Sequence, residues 1–233
     1  MDRDFVPAPE LYASCPVGGK VLEYYRGQFE AVFILLHPFM RPRTISPDLF
    51  YPDTWPKKKE IIADCEPCSW NEVLCACGLK SLSEVDTGLR TLIGALNPER
   101  SNSVYAEVIE NYCDQNNLIP PEPGDLSVII ENLVFETLMK KLGYRWLWVG
   151  DEFGLERKLH KIEDVIKADE IIAPPHARYF THDHQFLIAT HWDSHCTFLC
   201  SSRERLETFL QNEKFEGFFC TENTEVYWGL YPL

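Results

Sequence analysis

The stretch at 177–201, ARYFTHDHQFLIATHWDSHCTFLCS, sets the architecture of the second half of the chain. Its runs of β-branched and aromatic residues predict three strands, at 177–181, 185–191 and 196–201. The turns between them are too short for a crossover connection, so neighbouring strands should run antiparallel. We therefore expect an antiparallel meander here.

Other runs of the same kind predict four more strands: FEAVFILLH at 29–37, YRWLWV at 144–149, and a closing hairpin formed by 217–220 and 226–230. We expect the first of these, a buried strand, to join the later sheet. It ends at His37-Pro38 because proline has no amide hydrogen to donate to a neighbouring strand. Five prolines between 38 and 56 predict a long irregular connection.

Helix patterns dominate the first half of the chain. Ser69-Trp70-Asn71-Glu72 matches a capping box, in which each side chain satisfies a free amide of the first turn. Further helices should start at Ser83, at Asn102 or Ser103, and at Asp125, and the last is the longest and ends near Leu142. Shorter helices are expected at 20–27, at 162–168, and from Ser201 or Ser202 to about Asn212.

The order of these patterns predicts the fold class. The chain is helix-rich over 1–143 and strand-rich over 144–233, which is typical of the α+β class. We expect a helix-rich N-terminal half packed on a mainly antiparallel sheet formed largely by the C-terminal half. No flexible linker marks the boundary near Gly143, so we expect a single compact unit over 1–233, whose two parts are at most tightly packed lobes.

The charge and cysteine content restrict the function classes. The chain has 233 residues and a formal net charge of −14, which argues against nucleic-acid binding and against docking on anionic membranes. The longest apolar run, 31–36, is too short to span a bilayer, and no secretory signal pattern is visible. Nine cysteines are too sparse for a disulfide scaffold. We therefore expect a cytoplasmic protein.

One histidine-rich stretch carries the candidate metal ligands: His182, His184, His191, Asp193 and His195. If the second and third strands of the meander form a hairpin with its tip at 191–195, these side chains converge at one end of the sheet. Such ligands suit a divalent Zn, Mn or Fe ion, and an open coordination position would activate water. The same residues also suit acid–base chemistry, and no motif of established metal spacing is present, which favours a structural role in turn hydrogen bonds.

The cysteines offer a weaker metal candidate. Cys65-x-x-Cys68 followed by Cys75-x-Cys77 supplies four thiols, enough for zinc. However, Cys75 and Cys77 fall in a predicted helix about 200° apart, so they point to opposite sides, which favours ordinary buried cysteines. The lysine run at 57–59 is expected to be solvated. No phosphate-binding glycine loop or nucleophile elbow occurs.

Several stretches together resemble one known family: SWNEV at 69–73, LIGAL at 92–96, THWDSH at 190–195, EGFFC at 216–220, and Tyr227-Trp228. They are similar to an uncharacterised bacterial family found mainly in Bacillus-like Firmicutes, known as domain of unknown function 2711. The resemblance covers most of the chain. It implies a bacterial cytosolic origin, and it implies no activity and no functional residue.

Two functions from different classes agree with these patterns. The first is a non-catalytic acidic binding protein, comparable to an immunity protein or an antitoxin, with a basic protein partner that opposite charge would attract. The second is a metal-dependent, hydrolase-like enzyme that uses the His/Asp cluster at 182–195. The charge and the lack of a complete catalytic motif favour the first. The sequence leaves the oligomeric state, and whether the protein is an enzyme, open.

Overall fold

Strand β1 (Ala31–Leu36) is buried along its whole length because it lies inside a sheet that is covered on both faces. Its even-numbered residues enter one hydrophobic core and its odd-numbered residues enter another, as the alternation of side chains along a strand requires. On its two edges β1 pairs antiparallel with β8 (Cys196–Ser201) and β9 (Gly217–Phe219). The prediction that this early strand joins the later sheet is confirmed.

The computed structural model describes residues 8–231, and its main sheet has four further strands: β4 (Trp146–Gly150), β5 (Arg157–Lys161), β6 (Arg178–Phe180) and β7 (Leu187–Thr190). The order across this seven-stranded sheet is β5-β4-β6-β7-β8-β1-β9, and every pairing is antiparallel. Strands β6, β7 and β8 are the predicted meander. A separate two-stranded sheet consists of β2 (Phe39–Pro42) and β3 (Cys65–Cys68).

Helices cover both faces of the main sheet. They are α1 (Val21–Tyr24), α2 (Lys58–Asp64), α3 (Trp70–Ala76), α4 (Leu82–Leu92), α5 (Ser103–Asn116), α6 (Val128–Leu142), α7 (Ile162–Lys167) and α8 (Arg203–Leu210). Helices α3, α4 and α5 pack in one core, and α6, α7 and α8 pack in the other. Because the helices lie largely in the N-terminal half, the α+β class is confirmed. No helix within residues 8–231 is both long and apolar enough to span a membrane.

Two predicted helix starts differ from the structure. Helix α4 is capped by the hydroxyl of Ser81, not by that of Ser83, which lies inside the helix. Asp125 does not cap α6, because its carboxylate accepts a hydrogen bond from the backbone amide of His176 at 2.6 Å. Helix α6 instead begins at Val128. In the first case a nearby serine takes the capping role, and in the second a distant backbone amide binds the carboxylate that the pattern assigned to the helix.

The predicted closing hairpin is wrong in its second half. Residues 226–230 form no strand, since Trp228–Leu230 is a short 3-10 turn, and β9 pairs with β1 instead. The proline-rich connection at 38–56 contains strand β2 and a 3-10 turn at Pro47–Leu49. Helix α2 and strand β5 carry mostly polar residues and little apolar periodicity, so the pattern did not reveal them.

Candidate functional site

Asp183 organises the turn between β6 and β7, where the first two predicted histidine ligands lie. Its carboxylate accepts hydrogen bonds from the hydroxyl of Thr181 at 2.6 Å and from the hydroxyl of Tyr144 at 2.8 Å. The backbone amide of Gln185 donates to the same carboxylate at 3.2 Å. This is an aspartate-stabilised turn, so Asp183 is occupied by the fold itself.

The two histidines of this turn contact aromatic side chains. The ring of His184 stacks on Tyr12 with a centroid separation of 3.6 Å and an interplanar angle of 1°. The exposed ring of His182 lies 6.0 Å from the ring of Tyr144 in an edge-on arrangement. His184 thus helps to hold the N-terminal segment against the sheet.

The other three predicted ligands lie in the turn between β7 and β8. The Nδ1 atom of His191 accepts a hydrogen bond from the backbone amide of Asp193 at 3.1 Å. The carboxylate of Asp193 accepts a hydrogen bond from the hydroxyl of Tyr227 at 2.9 Å. His195 follows at the start of β8, and its side chain is 1% exposed.

The two turns are at opposite ends of β7 (Leu187–Thr190), so the structure does not bring the five predicted ligands together. His182 and His184 lie at one end, and His191, Asp193 and His195 lie at the other. Over residues 8–231, no group of three or more His, Cys, Asp or Glu side chains is arranged to hold a metal ion. The metal site stays a prediction. In the structure its five predicted ligands form two separate groups.

A buried arginine fixes the second turn. The guanidinium of Arg90 on α4 donates to the carboxylate of Asp86 at 2.8 Å, to the hydroxyl of Ser194 at 2.9 Å and to the carbonyl of Asp193 at 2.8 Å. It also donates to the carbonyl of Val226 at 3.1 Å. Hydrogen bonds of an ionised group in a buried site are strong and directional, so the turn that precedes His195 is held in one position.

Next to this turn lies a cleft of about 520 Å³. It opens between the C-terminal parts of α4 and α5, the 3-10 turn at Pro47–Leu49 and the segment 117–121, with His195 among its lining residues. Its apolar wall is formed mainly by Phe50, Leu89, Leu92, Ile93, Leu118 and Ile119. We call it the acidic cleft.

Three carboxylates line this cleft: those of Asp48, Glu110 and Asp114. Glu110 and Asp114 are one turn apart on α5 and therefore lie on the same face of that helix. None of the three forms an ion pair within the described chain, and no lysine or arginine is among the described lining residues. The cleft therefore has an apolar interior and an excess of negative charge.

His195 contributes a neutral polar group to the cleft. Burial, together with the nearby guanidinium of Arg90 and the ring of His37, holds the pKa of His195 well below its ordinary value. The ring is therefore uncharged at neutral pH, with one nitrogen able to accept a hydrogen bond. Its buried Nδ1 atom has no hydrogen-bond partner among the described residues, which is unusual for a buried polar atom.

Among the described lining residues of the cleft, Cys113 is the one cysteine. Burial raises the pKa of its thiol to about 12, so the thiol is protonated at neutral pH. Among the same described lining residues there is no serine, threonine or lysine.

The cleft and the sheet lie within a region that matches a known family. The family model described as "Protein of unknown function (DUF2711)" matches residues 18–230. The chain belongs to the DUF2711 family. No curated protein and no solved structure matches this DUF2711 chain significantly. The resemblance seen in the sequence is thus confirmed, and the matched region includes every residue of the acidic cleft.

The cysteines of this DUF2711 protein do not form the four-thiol arrangement considered above. Cys65 and Cys68 are buried in β3, whereas Cys75 is exposed on α3. Burial raises the pKa of Cys65 to about 11 and that of Cys68 to about 12, so both are protonated thiols at neutral pH.

The prediction that the whole lysine run is solvated is wrong for Lys58 of this DUF2711 protein. Lys58 is buried, where it forms an ion pair with Glu131 of α6 and donates to the carbonyl of Val165 at 3.0 Å. Its neighbours Lys57 and Lys59 are exposed and pair with acidic residues at the surface. A buried charge needs a partner of opposite charge. Sequence periodicity does not reveal this pairing, because Glu131 lies far from Lys58 in the sequence.

The sequence prediction missed Asp48, Glu110 and Asp114 as members of the site. They come from separate segments, and the spacing of Glu110 and Asp114 on α5 is also common on solvated helix faces. Of the five metal ligands predicted from the sequence, only His195 is among the described lining residues of the cleft in this DUF2711 protein.

Proposed function

We propose that this protein is a non-catalytic binding protein that takes a basic segment of a partner protein into the acidic cleft. The observation that carries the proposal is the composition of the cleft, with apolar walls, three carboxylates and no cation among its described lining residues. A lysine or arginine side chain matches both features, because its methylene stem is apolar and its end is charged.

Charge supports the proposal at two distances. Close to the cleft, Asp48, Glu110 and Asp114 carry carboxylates that no described cation neutralises by an ion pair. At long range, the net charge of −14 attracts a basic protein and raises the rate of productive encounter. Immunity proteins and antitoxins recognise basic partners on the same electrostatic principle.

The size of the cleft also fits this use. Its volume of about 520 Å³ lies within the range of about 300–1,000 Å³ that is typical of ligand-binding pockets. Such a space holds more than one side chain, so a short basic segment of a folded partner is a better match than one isolated residue.

The free cysteines indicate the kind of cellular compartment in which the protein resides. All nine are free thiols, including exposed Cys75, which is typical of proteins kept in a reducing environment. We therefore propose a bacterial cytoplasmic location, with the partner in the same compartment.

The test compares two variants of equal charge. Glu110→Gln/Asp114→Asn removes two carboxylates from the cleft, and Glu107→Gln/Glu99→Gln removes two exposed carboxylates that do not line it. Calorimetric titration with a lysine-rich peptide should show about tenfold weaker binding for the cleft variant and little change for the control.

The same pair of variants identifies the partner. A protein captured by the wild type supports the proposal only if the cleft variant loses it and the charge-matched control retains it. Equal loss in both variants would mean that the overall charge, not the cleft, attracts the partner. No binding of the basic peptide to the wild type would also contradict the proposal.

A further inference from the structure

Strand β5 is the outermost strand of the main sheet, and β4 is its one neighbour within the described chain. Two hydrogen-bonded pairs flank the ladder between β4 and β5. At one end the amide of Ile162 donates to the carbonyl of Arg145, and at the other the amide of Asp151 donates to the carbonyl of Glu156. In an antiparallel ladder hydrogen-bonded pairs alternate with pairs that are not hydrogen-bonded.

This alternation determines which backbone groups of β5 face outward. Lys158 and His160 form hydrogen-bonded pairs with β4, so their amides and carbonyls point inward. The amides and carbonyls of Arg157, Leu159 and Lys161 therefore point away from the sheet. Such a row of free donors and acceptors is a template for one more strand.

A groove of about 410 Å³ lies beside this edge. Its lining includes Lys158 and His160 of β5 and, from a later segment, Ile172, Ala173 and Pro174. Asp151 also lines it, but its carboxylate is occupied by amides of the loop before β5. Glu156 lies at the same loop end of the groove. The side chain of Lys158 forms no ion pair with the described residues.

The opposite face of β5 carries accessible Leu159 between two cations, Arg157, which pairs with Glu10, and Lys161. Leu159 is 46% exposed, and Trp146, across the ladder on β4, is 42% exposed, with the ammonium of Lys161 over its ring. The loop before β5 adds Phe153 and Leu155, which are 76% and 83% exposed. A cluster of exposed apolar side chains next to a free strand edge is typical of an interaction surface.

The charges of β5 decide which occupant fits. A second copy paired antiparallel about Leu159 would bring Arg157 opposite Lys161 twice, and directly opposed like charges are destabilising. A segment with acidic side chains on the face of Lys158 and apolar side chains on the face of Leu159 matches both faces. Alternation of this kind is the natural periodicity of a strand.

We propose that β5 binds an extended segment of a partner protein in which acidic and apolar residues alternate, by adding it to the sheet as an eighth strand. The backbone of Arg157, Leu159 and Lys161 supplies the hydrogen bonds. Lys158 pairs with a carboxylate of the added strand at the groove, and Leu159 contacts its apolar side chains. This surface is separate from the acidic cleft, and the two proposals are independent.

The test uses a blocked peptide in which glutamate and valine alternate, with a peptide of the same composition in two blocks as the control. Amide hydrogen exchange should slow at Arg157, Leu159 and Lys161 when the alternating peptide binds. The block peptide should bind about tenfold more weakly, because its carboxylates fall on both faces. Unchanged exchange at the three amides under saturating peptide would overturn the proposal, as would equal binding of the two peptides.

One substitution separates backbone pairing from side-chain contact. Leu159→Pro removes an outward amide hydrogen that β4 does not use, whereas Leu159→Ala removes the side chain and keeps the amide. The proline variant should lose at least about tenfold in peptide affinity, and the alanine variant should lose less. Glu110→Gln/Asp114→Asn should bind this peptide like the wild type. If proline and alanine have equal effects, the peptide does not add as a strand and the proposal is wrong.

Discussion

The guanidinium of Arg90 donates a hydrogen bond to the hydroxyl of Ser194 at 2.9 Å, and both side chains are fully buried. The same guanidinium binds Asp86 on its own helix and the carbonyl of Val226 near the end of the described chain. One charged side chain therefore connects α4, the turn before β8 and the C-terminal segment. Because His195 follows Ser194 directly, this network also positions the polar group of the acidic cleft.

Replacement of Arg90 should be severely destabilising. Arg90→Met leaves the carboxylate of Asp86 buried without a partner, and loss of one member of a buried ion pair typically costs about 3–5 kcal/mol. Urea unfolding should show this loss, and Asp86→Asn combined with Arg90→Met should recover part of it. Arg100→Met, at an exposed position, should change the stability by less than about 0.5 kcal/mol.

The lysine run provides a test with controls built into the sequence. Lys58→Met should destabilise the protein by about 3–5 kcal/mol, because it leaves Glu131 buried and unpaired. Lys57→Met and Lys59→Met remove exposed ion pairs and should each cost less than about 1 kcal/mol. Similar small effects at all three positions in urea unfolding would show that Lys58 is solvated, as the sequence alone predicts.

The buried histidines should make the protein sensitive to acid. Burial lowers the pKa of His37 from 6.5 to about 3. Below pH 6.5 the unfolded chain takes up a proton that folded His37 does not, so stability falls as the pH falls through this window. At pH 5 the linkage amounts to about 2 kcal/mol for this residue.

Comparison of unfolding at pH 7 and pH 5 measures this effect. His37→Leu should reduce the difference in stability between the two pH values by about 2 kcal/mol, whatever its stability at pH 7. A wild-type difference that persists in His37→Leu would show that His37 titrates normally in the folded state.

The metal hypothesis predicts a different result from the binding hypothesis. Since His182 and His184 are separated from His191 and His195 by β7, we expect EDTA to leave the melting temperature unchanged. Protein purified without chelator should contain far less than one equivalent of zinc, manganese or iron. A stoichiometric metal that His191→Ala/His195→Ala removes from a folded protein would instead support the hydrolase-like alternative.

The sequence predicted best those elements whose signals are local. The meander of β6, β7 and β8, the apolar strand β1 and the caps at Ser69 and Asn102 follow from periodicity and from hydrogen bonds between near neighbours. Strand β5 was missed because an edge strand needs few apolar residues.

The candidate site was harder to predict, since it depends on contacts between distant segments. The histidines at 182–195 are close in sequence, but four residues of β7 separate the two turns in space. Asp48 and Glu110 are far apart in sequence and line one cleft. No spacing rule for single segments relates such positions, because the packing of α4 against α5 creates the cleft.

The most direct test of the acidic cleft is to determine where a basic peptide binds. A lysine-rich peptide that carries a photoreactive group would be crosslinked to the protein, and the modified residues would be identified by mass spectrometry. We predict crosslinks at 47–51, 89–93 and 110–121, which Glu110→Gln/Asp114→Asn reduces and Glu107→Gln/Glu99→Gln does not. Crosslinks distributed over the whole acidic surface, or unaffected by the cleft variant, would contradict the proposed function.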